Sequence, residues 1–157
     1  MDPSAKCAGN LLNAVIIGFM VGMERVLGKT SQAVINVVGY AVGREILKHM
    51  SESGCQPKSL SDLTEALVSS RLAESLRFEV GGDGSVVATI DGCLICPKRV
   101  GGYEFEGTAC PWGGMLAFMV GEVLGRQMSA QARLTPGETC KVHLRPKRGG
   151  ADWLGGG

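Results

Sequence analysis

Along this chain the apolar positions change period several times, and each change marks an element. From Asn10 to Leu27 and again from Ser31 to Met50, apolar side chains recur at helical spacing. Gly28 stands between the two as a helix-ending residue of positive φ, and the second helix closes near Lys48 and His49, cations suited to a helix C-terminus. Gly18/Gly22 and Gly39/Gly43 give each helix a small-xxx-small face. Such faces let helix axes approach closely, so they are expected to pack on each other or on a second subunit. Gly54 to Pro57 breaks the pattern. Ser59, with Asp62 three residues on, then caps a third helix over about Ser61–Ser70, whose Leu60, Leu63 and Leu67 form one stripe.

The period then falls to two. Strands are expected over Arg77–Val80 and Ser85–Ile90, joined by Gly81-Gly82-Asp83-Gly84, a sequence that supplies the positive φ of a hairpin turn. A short strand follows around Tyr103–Glu106. Helical spacing returns from Pro111 to Gln127, with Met115, Phe118 and Met119 on its apolar face and proline in the first turn. Thr135-Pro136-Gly137-Glu138 is a turn sequence before a last strand over Thr139–Leu144. Three helices, a hairpin, a short strand, a helix and a strand predict an α+β fold with a mostly antiparallel sheet.

At 157 residues the chain suits one domain, expected over 1–145. The basic, glycine-rich stretch 146–157 reads as a flexible tail. Sixteen Lys and Arg against fifteen Asp and Glu leave a net charge of +1, which supplies no field for nonspecific nucleic-acid binding. The apolar run Leu11–Met23 falls short of the roughly 20 residues of a membrane span, and Glu24-Arg25 follows it in place of a small-residue cleavage site. A cytoplasmic protein is expected, in which thiols stay reduced.

That compartment gives the 6 cysteines their meaning. Cys93-Leu94-Ile95-Cys96-Pro97 follows a strand directly, the setting of a knuckle whose tight turn directs two sulfurs at one point. Cys110 opens the late helix and Cys140 the last strand, so folding can return both to the knuckle. Four thiolates at Cys93, Cys96, Cys110 and Cys140 suit tetrahedral zinc. Helix N-terminal placement is expected to lower the Cys110 pKa. An iron–sulfur cluster, a redox C-x-x-C pair and plain buried thiols are the alternatives. Cys7 and Cys55 stand apart.

Other motifs fail. Gly28-Lys29-Thr30 has Met23 where a phosphate loop needs glycine, and it follows a helix. Glu104 and Glu106 read as a solvated strand face, and Lys98 and Arg99 as the solvated side of the knuckle. With His49 and His143 the only histidines, no nucleophile, base and orienting group assemble, so an enzyme is not favoured. The chain holds 4 Phe, 2 Tyr and 2 Trp, and Tyr103, Phe105, Trp112 and Phe118 are half of them. Clustered around the knuckle, they suit the wall of a pocket for an apolar ligand, or equally the core between sheet and helix.

The run Cys110-Pro111-Trp112-Gly113-Gly114-Met115-Leu116-Ala117-Phe118, continued by Gly121-Glu122-Val123-Leu124-Gly125 and closed by Gly137-Glu138-Thr139-Cys140-Lys141-Val142, resembles the 4-vinyl-reductase domain family, in particular its small hydrocarbon-binding members. The resemblance spans about residues 90–145. It implies a ligand-binding fold related to TRAPP subunits and to the aromatic-sensing domains of transcription regulators, with homodimers and a pocket for a small hydrophobic molecule. It also implies zinc held by three cysteines and a glutamate. Cys110 and Cys140 match the outer two cysteines, the pair between them has no counterpart here, and Cys93 with Cys96 takes its place. The combined expectation is a homodimeric sensor or carrier of a small hydrophobic or aromatic ligand, with a structural four-cysteine zinc site. An iron–sulfur redox protein and a protein–protein adaptor are the alternatives.

Overall fold

The computed structural model describes residues 3–28, 31–104, 109–133 and 139–147, with side chains from residue 11 onward except those of 131–133. Its elements are α1 (Pro3–Leu27), α2 (Ser31–Glu52), α3 (Leu60–Ser69), β1 (Ser75–Val80), β2 (Val86–Asp91), α4 (Trp112–Leu124), β3 (Met128–Arg133) and β4 (Thr139–Pro146). The four strands form one antiparallel sheet in the order β1-β2-β4-β3. An α+β fold with an antiparallel sheet is therefore observed.

Local chemistry accounts for most boundaries. At α3 the Ser59 hydroxyl accepts from the Asp62 N–H at 3.1 Å, while the Asp62 carboxylate accepts from the N–H groups of Ser59 at 3.0 Å and Lys58 at 2.8 Å. This reciprocal capping box satisfies donors that the first helical turn leaves open. The β1–β2 hairpin turns where expected, with Gly84 at φ +80° and the Asp83 carboxylate accepting from the Ser85 N–H.

The inward face of the sheet is a stripe of cross-strand pairs. Val86 faces Leu144, Ala88 faces Val142 and Ile90 faces Cys140, all of them buried. On this face lies α4, apolar on nearly every side, and α2 covers α4 in turn. A helix apolar all round must be buried on all sides, and α4 is enclosed between sheet and α2. The α2–α4 contact is a backbone approach through glycines. A Cβ on Gly114 would overlap the Asn36 carbonyl, and one on Gly43 would come to 2.7 Å from the Met115 carbonyl oxygen. The Gly39/Gly43 face is thus spent inside the chain, on α4. Around Gly18 and Gly22 of α1 there is open space.

Three expectations need correction. First, α1 begins near Pro3, well before Asn10. Second, Tyr103 and Glu104 have no regular structure, and Phe105 and Glu106 lie outside the described residues. Third, the strand beside β4 is β3, immediately after α4, where no strand is expected. Met128-Ser129-Ala130-Gln131-Ala132-Arg133 lacks β-branched and aromatic residues, and hairpin pairing with β4 outweighs that weak propensity. Gly125, left-handed at φ +64°, ends α4 and releases the chain into β3. The Lys147 N–H still bonds the Gln127 carbonyl at 2.9 Å, and the remainder of the expected tail, 148–157, lies outside the described residues.

Candidate functional site

The candidate site lies at one end of the sheet, where β2 runs into the knuckle. Asp91 ties three strands together there. It accepts from Ser75 Oγ on β1 at 2.9 Å and from Thr139 Oγ1 on β4 at 2.6 Å, and it pairs with Arg77 at 3.1 Å. These partners hold its carboxyl below the usual carboxylate range, the two hydroxyl hydrogen bonds most of all. Gly92 then turns the chain at φ +59°, where a Cβ would collide with the Glu74 side chain.

Cys93 follows, buried. Two donors reach its sulfur: the Trp112 indole N–H at 3.2 Å and the backbone N–H of Ile95. Its thiol is pushed up to about 11, first by loss of water and then by Cys96 and Cys140 nearby. Cys96 is half-buried, and its carbonyl accepts from the Val100 N–H at 2.9 Å. Cys110 lies just ahead of α4. Its backbone is held from α2 by the Gln32 amide, which donates to the Cys110 carbonyl at 2.9 Å and accepts its N–H at 3.1 Å. The Trp112 backbone N–H points at the Cys110 sulfur. Cys140 is buried on β4 opposite Ile90, beside the knuckle.

The fold thus brings Cys93, Cys96, Cys110 and Cys140 from three separate stretches into one neighbourhood. Every pair among them is close enough to raise a partner's pKa. For Cys110 the helix N-terminus does not win. Burial pushes its thiol up, and the neighbouring cysteines push it further. Among the described residues, no three Cys, His, Asp or Glu side chains close into a ligating group. The four thiols are neighbours, and their sulfurs do not meet at one point.

Arg99 is the residue the sequence reading undervalued. It donates to the Cys93 carbonyl at 3.1 Å, reaches Glu74 at 3.8 Å, and its charge favours the thiolate of Cys140. Cys55 is exposed and remote in the chain, and the Cys7 side chain lies outside the described residues.

The three of the four aromatics that are described, Tyr103, Trp112 and Phe118, sit in different surroundings. Trp112 is 1% exposed and serves Cys93. Phe118, roughly 120° away round the helix, meets Tyr40 of α2 edge to face at 4.8 Å. Tyr103 is exposed on the knuckle loop, and Phe105 lies outside the described residues. A different cavity, of about 350 Å³, opens between α2, α4 and β3. Tyr40, Ala117, Met128 and Ala130 supply apolar wall, and Asn36 and Lys147 supply polar groups. No helix among the described residues is long and apolar enough to cross a membrane.

Comparison with known proteins revises the resemblance drawn from the late helix and last strand. The family model that matches, over residues 28–146, is that of the MJ0207 family and not a 4-vinyl-reductase model. The chain is also 36% identical over 135 residues to "Uncharacterized protein MJ0207" of Methanocaldococcus jannaschii, covering 86% of this chain and 88% of that protein. The short glycine-and-cysteine pattern is degenerate, since any buried helix packed tightly on a sheet can carry it, and it does not define the family. With a model matching most of its length and a relative aligned nearly end to end, the chain belongs to the MJ0207 family.

Proposed function

We propose that this protein is a thiolate metal protein in which Cys93, Cys96, Cys110 and Cys140 take up one zinc ion, fastening the knuckle, the start of α4 and the start of β4 together. One observation carries the reading. Thiols from three stretches gather at one end of the core, and backbone or indole N–H groups are aimed at the sulfurs of Cys93 and Cys110. A neutral thiol is a weak acceptor and rewards such donors little, whereas a thiolate rewards them well. A buried thiolate in turn needs a cation close by, and a dication meets that need. Because the sulfurs do not close into a ligating group, binding requires them to draw together. The role is structural, in a reducing compartment such as the cytoplasm.

The test is metal analysis with a visible spectrum on protein purified without oxygen. About one zinc per chain and no colour is the expected result. Iron with visible absorbance replaces zinc by a cluster and makes electron transfer the leading role. Metal-free protein that takes up no added zinc, or Cys96→Ser protein as stable and as zinc-loaded as the parent, overturns the reading.

A second reading, a carrier or sensor of a small hydrophobic ligand, is supported by the cavity between α2, α4 and β3. Its size fits the lower range of ligand pockets, and its wall mixes apolar side chains with the polar groups of Asn36, Gln127, Ser129 and Lys147. Ala117→Leu narrows it. Stabilisation of the parent by a panel of small aromatic carboxylates, lost in Ala117→Leu, is the expected result. No shift with any of them counts against the reading.

A further inference from the structure

Among the described residues, the outer face of α1 carries the largest exposed hydrophobic side chains, Phe19 and Val26 foremost. Leu12, Val15, Phe19, Gly22 and Val26 are spaced by 3, 4, 3 and 4 residues, the seam of a two-helix coiled coil. Every one of them is exposed, Phe19 by 72% and Val26 by 83%. The opposite face of α1, with Ile17, Met20 and Val21, is already buried, and α1 packs chiefly on α2. The seam is therefore additional to the intramolecular contact. It borders α2 at Val34, where a shallow groove of about 670 Å³ runs between the helices past Gly18 and Gly22, and Val38 and Val42 of α2 are also part-exposed.

From these features we infer that the α1 seam is the interface of a homodimer, two copies meeting about a two-fold axis with their α1 helices antiparallel. Three observations select a second copy as the occupant. The face carries both a knob, Phe19, and a hollow at Gly22, where nothing lies within 4 Å of an added Cβ. A two-fold axis between these positions seats each Phe19 over the other copy's Gly22 and sets Val15 against Val26, so the face is complementary to itself. Between Leu11 and Leu27 the only charged residues are Glu24 and Arg25, and neither is a seam position, so no charge pattern selects a different partner. The area also fits. Exposed side chains of Leu11, Leu12, Val15, Phe19 and Val26, with the α2 valines, offer on the order of 700 Å², close to the ~800 Å² per partner of a stable interface.

Sedimentation velocity on the full chain is the test, with Phe19→Glu and Gly22→Phe as variants. Neither position is packed in the single chain, so far-UV circular dichroism should stay unchanged in both. The expected result is a parent of twice the 16.4 kDa chain mass, with association weakened by more than ~30-fold in each variant. Gly22→Phe is the decisive variant. It makes the face more apolar while filling the hollow, so it weakens a fitted dimer and strengthens any unspecific apolar adhesion. A monomeric parent at tens of micromolar overturns the inference, as does a dimer that both variants leave intact. A monomeric parent that co-sediments with phosphatidylglycerol-containing vesicles, more strongly in Gly22→Phe, overturns it in favour of a lipid surface.

Discussion

Adding one methyl group to Gly114 and, separately, to Gly22 should move stability in opposite directions, although both glycines lie inside helices. At Gly22 an added Cβ meets nothing within 4 Å, so alanine removes the conformational cost of glycine and stabilises by about 0.5–1 kcal/mol. The same propensity gain applies at Gly114. There, however, the Cβ overlaps the Asn36 carbonyl and comes to 2.7 Å from the Tyr40 backbone nitrogen. Those are backbone atoms of α2, which cannot swing aside as a side-chain tip can, so α2 and α4 must separate. Gly43 and Gly39, on the facing helix, also sit against the backbone of Met115 and Pro111 with no room for a Cβ, which leaves little slack nearby. Overpacking of a core commonly costs about 1–3 kcal/mol, and this contact belongs at the upper end. After the propensity gain, Gly114→Ala should still lose about 2 kcal/mol. Urea unfolding followed by far-UV circular dichroism measures both, in the Phe19→Glu background so that self-association does not enter. A Gly114→Ala protein as stable as its parent, or a Gly22→Ala protein equally damaged, refutes the packing account.

Trp112→Phe keeps most of the buried ring and removes the indole N–H on the Cys93 sulfur; we expect a loss of about 1 kcal/mol in urea unfolding and, on the proposed zinc reading, faster release of added zinc to a chelator. Gln32→Ala leaves the Cys110 N–H and carbonyl without the side chain that pairs both, and should cost about 1–3 kcal/mol by the same assay. The backbone N–H of Lys58 and the Ser59 hydrogen bonds hold the Asp62 carboxyl below its ordinary 3.8. Its contribution is therefore complete above 3.8 and fades as pH falls through the lower folded value. An NMR titration should place the Asp62 midpoint below 3.8, and Asp62→Asn should flatten the acid limb of the stability curve.

Much of this fold is local, and what is local is legible in the sequence. The capping box at Ser59 and Asp62, the glycine-rich hairpin turn and the helical periods of α1, α2 and α4 each depend on residues a few positions apart. Alternation along Thr139–Leu144 likewise marks β4, because one face of it must be buried. Tertiary structure decided the rest. Met128–Arg133 becomes a strand only because β4 lies beside it, and backbone pairing is invisible to side-chain pattern. Gly39/Gly43 and Gly18/Gly22 look alike along the chain, yet one pair is consumed by α4 and the other faces open space. The cysteine spacing pointed to a four-thiolate site, and the fold brings the four thiols near one another without closing them into a ligating group. The ionisation of Cys110, the grip of Gln32 on its backbone and the reach of Arg99 depend on burial and on contacts made across the fold. Desolvation and long-range packing are properties of three-dimensional surroundings, and no spacing along a chain encodes them directly.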